Sequence, residues 1–280
     1  MESPSSRPVI VLGMHRSGTS ATARVLNLLG LPTATEDDLL PPNEGNPEGY
    51  WESRTLTDFD DRLLAHLGSS WLAPPPPEQV DFAGLAGHRD EACHLLDKFL
   101  PPPPWVWKDP RLSVLLGFWR PIVPDAVYVL VHRDAIAAAK SLARRDGLSV
   151  VHGLALWQRY VRSCLRGLEG ARVTVVGFEE LMNDPRGSVS RLAASLRQLG
   201  VRLADNDEAW KSICAARTDV PMDEGPSEVR AFRKRLAEFD DAHVAFPPSP
   251  DLVESPWVEP LLRAHRQGSV QAVTSVLGIR

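Results

Sequence analysis

The sequence predicts a three-layer α/β fold, with a central parallel sheet flanked by helices. Three observations carry that expectation. Short β-branched apolar runs of strand length alternate with longer segments whose apolar residues recur at helical spacing. The first such run ends in a loop with two spaced glycines that opens a helix. Hydrophobic residues make up 43% and charged residues 24% of the 280 positions, an ordinary globular balance that can build a core. The length suits one α/β domain spanning 1–280, with a core at about 7–200 and a mostly helical extension over 201–280.

Pro8-Val9-Ile10-Val11-Leu12-Gly13 reads as a buried parallel strand. Helical spacing runs from Thr19 to Leu29, and Gly30 with Pro32 stops it. A loop rich in Pro, Asn, Glu and Gly covers 33–50, and Leu56, Phe59, Leu63, Leu64 and Leu67 predict a helix over 54–67. A further helix is expected from about Phe82 to Leu100, between proline runs at 74–77 and 101–104 that favour stiff extended connectors. Strands are predicted at 105–107, 126–131 and 172–176, with helices at 112–119, 134–144, 150–168 and 185–199.

Composition narrows the function. A net charge of −5 supplies no global basic field, so nucleic acid is not an expected partner and any anion site must be built locally. Cys93, Cys164 and Cys214 lack metal-ligand spacing and are expected to be buried, reduced thiols. Residues 1–7 lack the apolar core of a signal peptide, and no apolar run approaches the ~20 residues that span a bilayer. These features lead us to expect a cytoplasmic protein. Its abundant Ala, Arg and Pro match a GC-rich bacterial genome.

Gly13-Met14-His15-Arg16-Ser17-Gly18-Thr19-Ser20 has the backbone spacing of a P-loop, in which N–H groups and a helix N-terminus wrap an anion. A triphosphate-binding version carries lysine directly after the second glycine. Here Thr19 and Ser20 follow Gly18, and the cation has moved inside the loop as Arg16. That arrangement suits a shorter 5′ anion, and Arg16 followed by Ser17-Gly18-Thr19 resembles the 5′-phosphosulfate loop of the sulfotransferase superfamily. His15 is a candidate spacer within the same anion site.

A second motif follows the strand at 126–131. Asp134 is a natural N-cap, Arg133 lies at the strand's C-terminal end, and Ser141 lies about two turns, roughly 10 Å, into the next helix. Strand, arginine and a serine eight residues on resemble the family's 3′-phosphate element. Lys108-Asp109-Pro110 resembles the protein-tyrosine and bacterial carbohydrate-type branch. The steroid and phenol branch places a catalytic histidine where Pro110 stands. Val175 to Leu181, then Asp184-Pro185, resembles a later strand and turn of the family, with Phe178 where many members have tyrosine.

The resemblance covers about 7–200 and implies a P-loop-type fold. It implies transfer of a sulfuryl group from 3′-phosphoadenosine 5′-phosphosulfate (PAPS) to a hydroxyl or amine, leaving 3′-phosphoadenosine 5′-phosphate (PAP) and needing no metal. The implied nucleotide-binding residues are His15, Arg16, Ser17, Gly18, Thr19, Ser20, Arg133 and Ser141. Arg16 and Lys108 would stabilise the leaving group. For the general base, Glu52 stands first, at a helix start after the aromatic pair Tyr50-Trp51. Glu48 is second and Glu44 third. The acceptor is expected to be a small molecule, natural product or carbohydrate. A P-loop kinase or nucleotidase, and a non-catalytic nucleotide-binding protein, are the alternatives.

Overall fold

The computed structural model describes residues 7–44, 46–214, 234, 243, 245–247 and 253–268. Its centre is a four-stranded parallel sheet: β1 (Val9–Leu12), β2 (Val106–Lys108), β3 (Val127–His132) and β4 (Arg172–Gly177), in the spatial order β2-β1-β3-β4. Val9 sits opposite Val106 on one side and Val127 on the other. The strands are nearly continuous apolar runs because helices cover both faces.

Side chains alternate strictly between the two faces. Ile10, Leu12, Trp107, Tyr128, Leu130, Val173 and Val175 join one apolar cluster. Val9, Val11, Val106, Val127, Val129, Val131 and Val176 join the other. The first face is covered by α2 (Arg54–His66), α4 (Leu112–Trp119), α5 (Ala135–Asp146), α6 (Val150–Leu168) and the C-terminal α10 (Val258–Arg266). On the second face lie α1 (Thr19–Leu28), α7 (Phe178–Asn183), α8 (Pro185–Gln198) and the short α9 (Lys211–Cys214). The remaining helix, α3 (Arg89–Phe99), lies against α2.

This order decides where a ligand can sit. The chain leaves β1, returns as β2 on one side, then crosses through α4 to β3 on the other. Such a switch opens a crevice beyond the C-terminal ends of the central strands. Gly13, Lys108 and Arg133 all stand at those ends.

Helix α6 also anchors the C-terminal part of the chain. Arg159 is fully buried, and a charge there is tolerable only when paired and hydrogen-bonded. It is paired with Glu254 (2.7 Å) and Glu259 (2.7 Å) and donates to the Pro74 carbonyl. Arg266 of α10 also donates to the Ala73 and Pro74 carbonyls, at 3.1 Å each.

The sequence expectations need two corrections. The helix expected from Phe82 begins only at Arg89, because the Asp81 carboxylate accepts from the Ala83 and Gly84 N–H groups and holds a turn there. Cys164 is buried, but Cys93 is exposed, on a helix whose one buried residue is Ala92. Past 200, residues 201–206 carry no regular structure, and His243 pairs antiparallel with Val173 on the edge of β4. The Cys214 side chain and most of 215–252 lie outside the described residues. Among those described, no helix is long and apolar enough to cross a membrane.

Candidate active site

The loop between β1 and α1 is shaped by two glycines that admit no side chain. Gly13 has φ +144°, and a Cβ there would lie 2.4 Å from the Val131 carbonyl oxygen. Gly18 has φ +94°, and a Cβ there would lie 2.3 Å from Phe178 Cδ2. Gly18 is the N-cap of α1 and supplies no side-chain acceptor, so the first N–H groups of the helix are available to an anion. Ser113, in the first turn of α4, braces the loop: its Oγ accepts from the Gly13 N–H at 2.9 Å. Gly18→Ala is expected to destabilise the fold by about 1–3 kcal/mol through overpacking and the left-handed φ. Denaturant unfolding measures this, and an unchanged midpoint would refute the packing of Phe178 on the loop.

Two arginines and a serine meet beside this loop. Arg16 Nε donates to Ser141 Oγ at 3.0 Å, joining the loop to α5. Arg133 donates to the Arg16 carbonyl at 2.8 Å, and its guanidinium lies 4.3 Å from the Phe178 ring centroid. Phe178 therefore packs under both Gly18 and Arg133. Its ring makes a cation–π contact with Arg133 that the sequence did not reveal. Arg133 Nε is buried without a hydrogen-bond partner. Burial lowers the pKa of both arginines from the usual range, and Arg145 adds to the effect at Arg16. This positive charge at the strand ends suits an anion.

Asp134 caps α5, its carboxylate accepting from the Ala137 N–H at 2.8 Å, while Glu179 accepts from the Asp134 N–H at 2.8 Å. Asp134 thus serves the helix start, and Glu179 ties α7 to that start.

The glutamates separate by burial. Glu52 is 5% exposed and forms an ion pair with Lys108, itself 2% exposed. Glu52 does not begin the helix; it precedes the N-cap Ser53, whose hydroxyl accepts from the Leu56 N–H at 3.1 Å. Burial pushes the Glu52 carboxyl above the usual carboxylate range, and Lys108 opposes that shift. Glu48 and Glu44 are exposed. Behind Lys108, Arg111 pairs with Asp109 (3.2 Å) and Asp61 (2.6 Å). No motif marked Ser113 or Asp61 in advance; Ser113 meets Gly13 across 100 positions and Asp61 meets Arg111 across 50.

His15 is buried, its ring 4.6 Å from Trp71 and 5.6 Å from Tyr160 between centroids. Burial and the cations Arg111, Arg145, Lys108 and Arg16 hold its pKa well below the usual histidine value, so the ring is neutral. Its place is within the packing of the loop. Ser17 and Thr19 are buried in the loop, while Ser20 donates to the Tyr50 carbonyl at 3.3 Å and accepts from Asn46 at 3.3 Å. Among the described residues no group of His, Cys, Asp or Glu could hold a metal ion.

Residues 8–205 match the model of the sulfotransferase family. Solved structures with a similar chain path include the sulfotransferase domain of the Synechococcus PCC 7002 olefin synthase, at 19% identity and TM-score 0.43, covering 96% of this chain and 97% of that one. The sulfotransferase STF9 from Mycobacterium avium gives 17% and 0.44, covering 85% and 77%. The sulfotransferase domain of the curacin biosynthetic pathway gives 14% and 0.44, covering 99% of both. No curated protein matches the chain.

Proposed function

The chain belongs to the sulfotransferase family, and on that premise we propose that it transfers a sulfuryl group from PAPS to a hydroxyl or amine of a small-molecule, natural-product or carbohydrate acceptor, releasing PAP. One observation carries the choice of donor. The loop at 13–18 and the cluster of Arg133, Ser141 and Arg16 offer two adjoining anion positions in one crevice, joined by the 3.0 Å Arg16–Ser141 contact. A nucleotide with phosphate at both its 5′ and 3′ ends needs both. The unpartnered Arg133 Nε and the uncapped N-terminus of α1 fit such a group.

The roles follow from chemistry. The loop N–H groups, with Ser17, Thr19 and Ser20, hold the 5′ anion, and Arg133 with Ser141 holds the 3′ phosphate. Glu52 accepts the acceptor's proton as the new bond to sulfur forms; burial raises its basicity to suit that task. The old sulfur–oxygen bond breaks toward the nucleotide, and Arg16 and Lys108 stabilise the negative charge left on the phosphate. Glu48, exposed, is the second candidate base.

A binding and turnover pair tests this. PAP is expected to bind with a Kd unchanged by a chelator, and radiolabelled sulfuryl transfer to pooled bacterial metabolites is expected to vanish in Arg16→Ala. Magnesium-dependent turnover of ATP, with PAP bound no better than AMP, would refute the donor assignment in favour of a kinase.

A further inference from the structure

Two non-glycine residues have positive φ among those described, Arg16 at +68° and Trp51 at +59°. The first lies inside the anion loop, and the second immediately precedes Glu52. A left-handed conformation at a bulky residue is strained and persists only where its surroundings impose it.

The surroundings of Trp51 show what imposes it. Ser20 and Arg24 lie one turn apart on the same side of α1. Ser20 donates to the Tyr50 carbonyl at 3.3 Å, and the Arg24 guanidinium sits 4.7 Å from the Trp51 ring centroid. The indole N–H donates to the Glu48 carbonyl at 3.1 Å. On the far side, the Glu52 carbonyl accepts from the Leu40 N–H at 2.9 Å. Helix α1 therefore holds Tyr50 and Trp51, while the chain turns inward at Trp51. Beyond the turn the exposed run at 47–48 gives way to buried Glu52 and Ser53, with Glu52 on Lys108.

We propose that Trp51 is a positioning residue: its ring, clamped by Arg24 on α1, fixes the left-handed turn that delivers the Glu52 carboxylate to Lys108. This rests on Glu52 being the base proposed above. The same helix begins at the anion loop, so the donor site and the base share one rigid reference.

The consequence is a directional change in proton affinity. Burial is what raises the Glu52 carboxyl; Lys108 on β2 opposes it, Asp109 adds to it and Arg111 opposes it. Releasing the clamp admits water to Glu52 and removes the largest of these effects. The carboxyl should then ionise at lower pH, and the acid limb of the rate profile should move down with it.

The experiment uses the full chain with Trp51→Gly, Trp51→Phe and Arg24→Gln. Glycine adopts the left-handed turn freely and lacks the ring, whereas phenylalanine keeps the ring over Arg24. The readout is the pH at which the Glu52 carboxyl ionises, followed by the infrared carboxyl band that Glu52→Gln lacks. Trp51→Gly and Arg24→Gln should bind that proton about tenfold more weakly. Their transfer rate should fall about 10- to 100-fold at unchanged PAP affinity. Trp51→Phe should stay close to the parent on both counts. An unmoved ionisation, or a Trp51→Phe variant no better than Trp51→Gly, overturns the proposal; Arg24→Gln alone decides it if Trp51→Gly does not fold. Transfer retained by Glu52→Gln would instead overturn the assignment of the base and leave the titration result standing, so the two failures are distinct.

Discussion

Lys108→Met should unfold about 3–5 kcal/mol more easily than the parent at neutral pH, and sulfuryl transfer should fall by a factor of about 100 to 1000. Lys108 and Glu52 are 2% and 5% exposed, so each is the other's main compensation for lost water. Methionine keeps the length and apolar bulk of the lysine stem. The loss therefore reports the unpaired Glu52 carboxylate and not a cavity.

The pH dependence of that deficit gives a sharper test. Burial already raises the folded-state Glu52 carboxyl above its ordinary value, and removing Lys108 raises it further. A carboxyl with a raised folded-state pKa binds its proton more tightly in the folded chain than in the unfolded one. Stability then falls as pH rises from the ordinary carboxylate range through the raised value, and stays low above it. Equilibrium denaturation of the variant against the parent should show a small deficit in acid that grows toward neutral pH. A deficit independent of pH would mean that packing, and not the charge of Glu52, is at stake.

Arg133→Ala should weaken PAP binding about 10- to 100-fold, the loss expected for charge-assisted hydrogen bonds to one phosphate. The same change should barely alter binding of the analogue lacking the 3′ phosphate. This contrast is needed because Arg133 also donates to the Arg16 carbonyl and faces Phe178. Damage to the loop would weaken both ligands together. Calorimetric titration of each nucleotide separates the cases, and equal losses would remove Arg133 from the 3′-phosphate site.

The elements most legible in the sequence were those with a strong local signal. The helices at 112–119 and 150–168 run as the spacing predicts, from Leu112 to Trp119 and Val150 to Leu168, and Asp134 caps α5. Helix α3 was misread because periodicity continued back to Phe82, while the side chain of Asp81 competed for the backbone. Cys93 was misread because burial depends on which way a helix faces. The ranking of Glu52 over Glu48 rested on neighbouring aromatics; the structure adds a physical separation, one buried on Lys108 and the other exposed.

By itself the sequence determined the alternation of strands and helices, the glycine spacing of the loop, the absence of a lysine after Gly18 and the position of Arg133 at a strand end. All of these are local, written within a few residues by periodicity and backbone conformation. Only the tertiary structure decided that Arg16 meets Ser141 across 125 positions, that Lys108 meets Glu52 across 56, and that Phe178 lies against both Gly18 and Arg133. Those contacts depend on the strand order β2-β1-β3-β4, which gathers the C-terminal ends of β1, β2 and β3 at one crevice. A buried charge must find a partner wherever the fold brings one within reach, and no local pattern states which partner that will be.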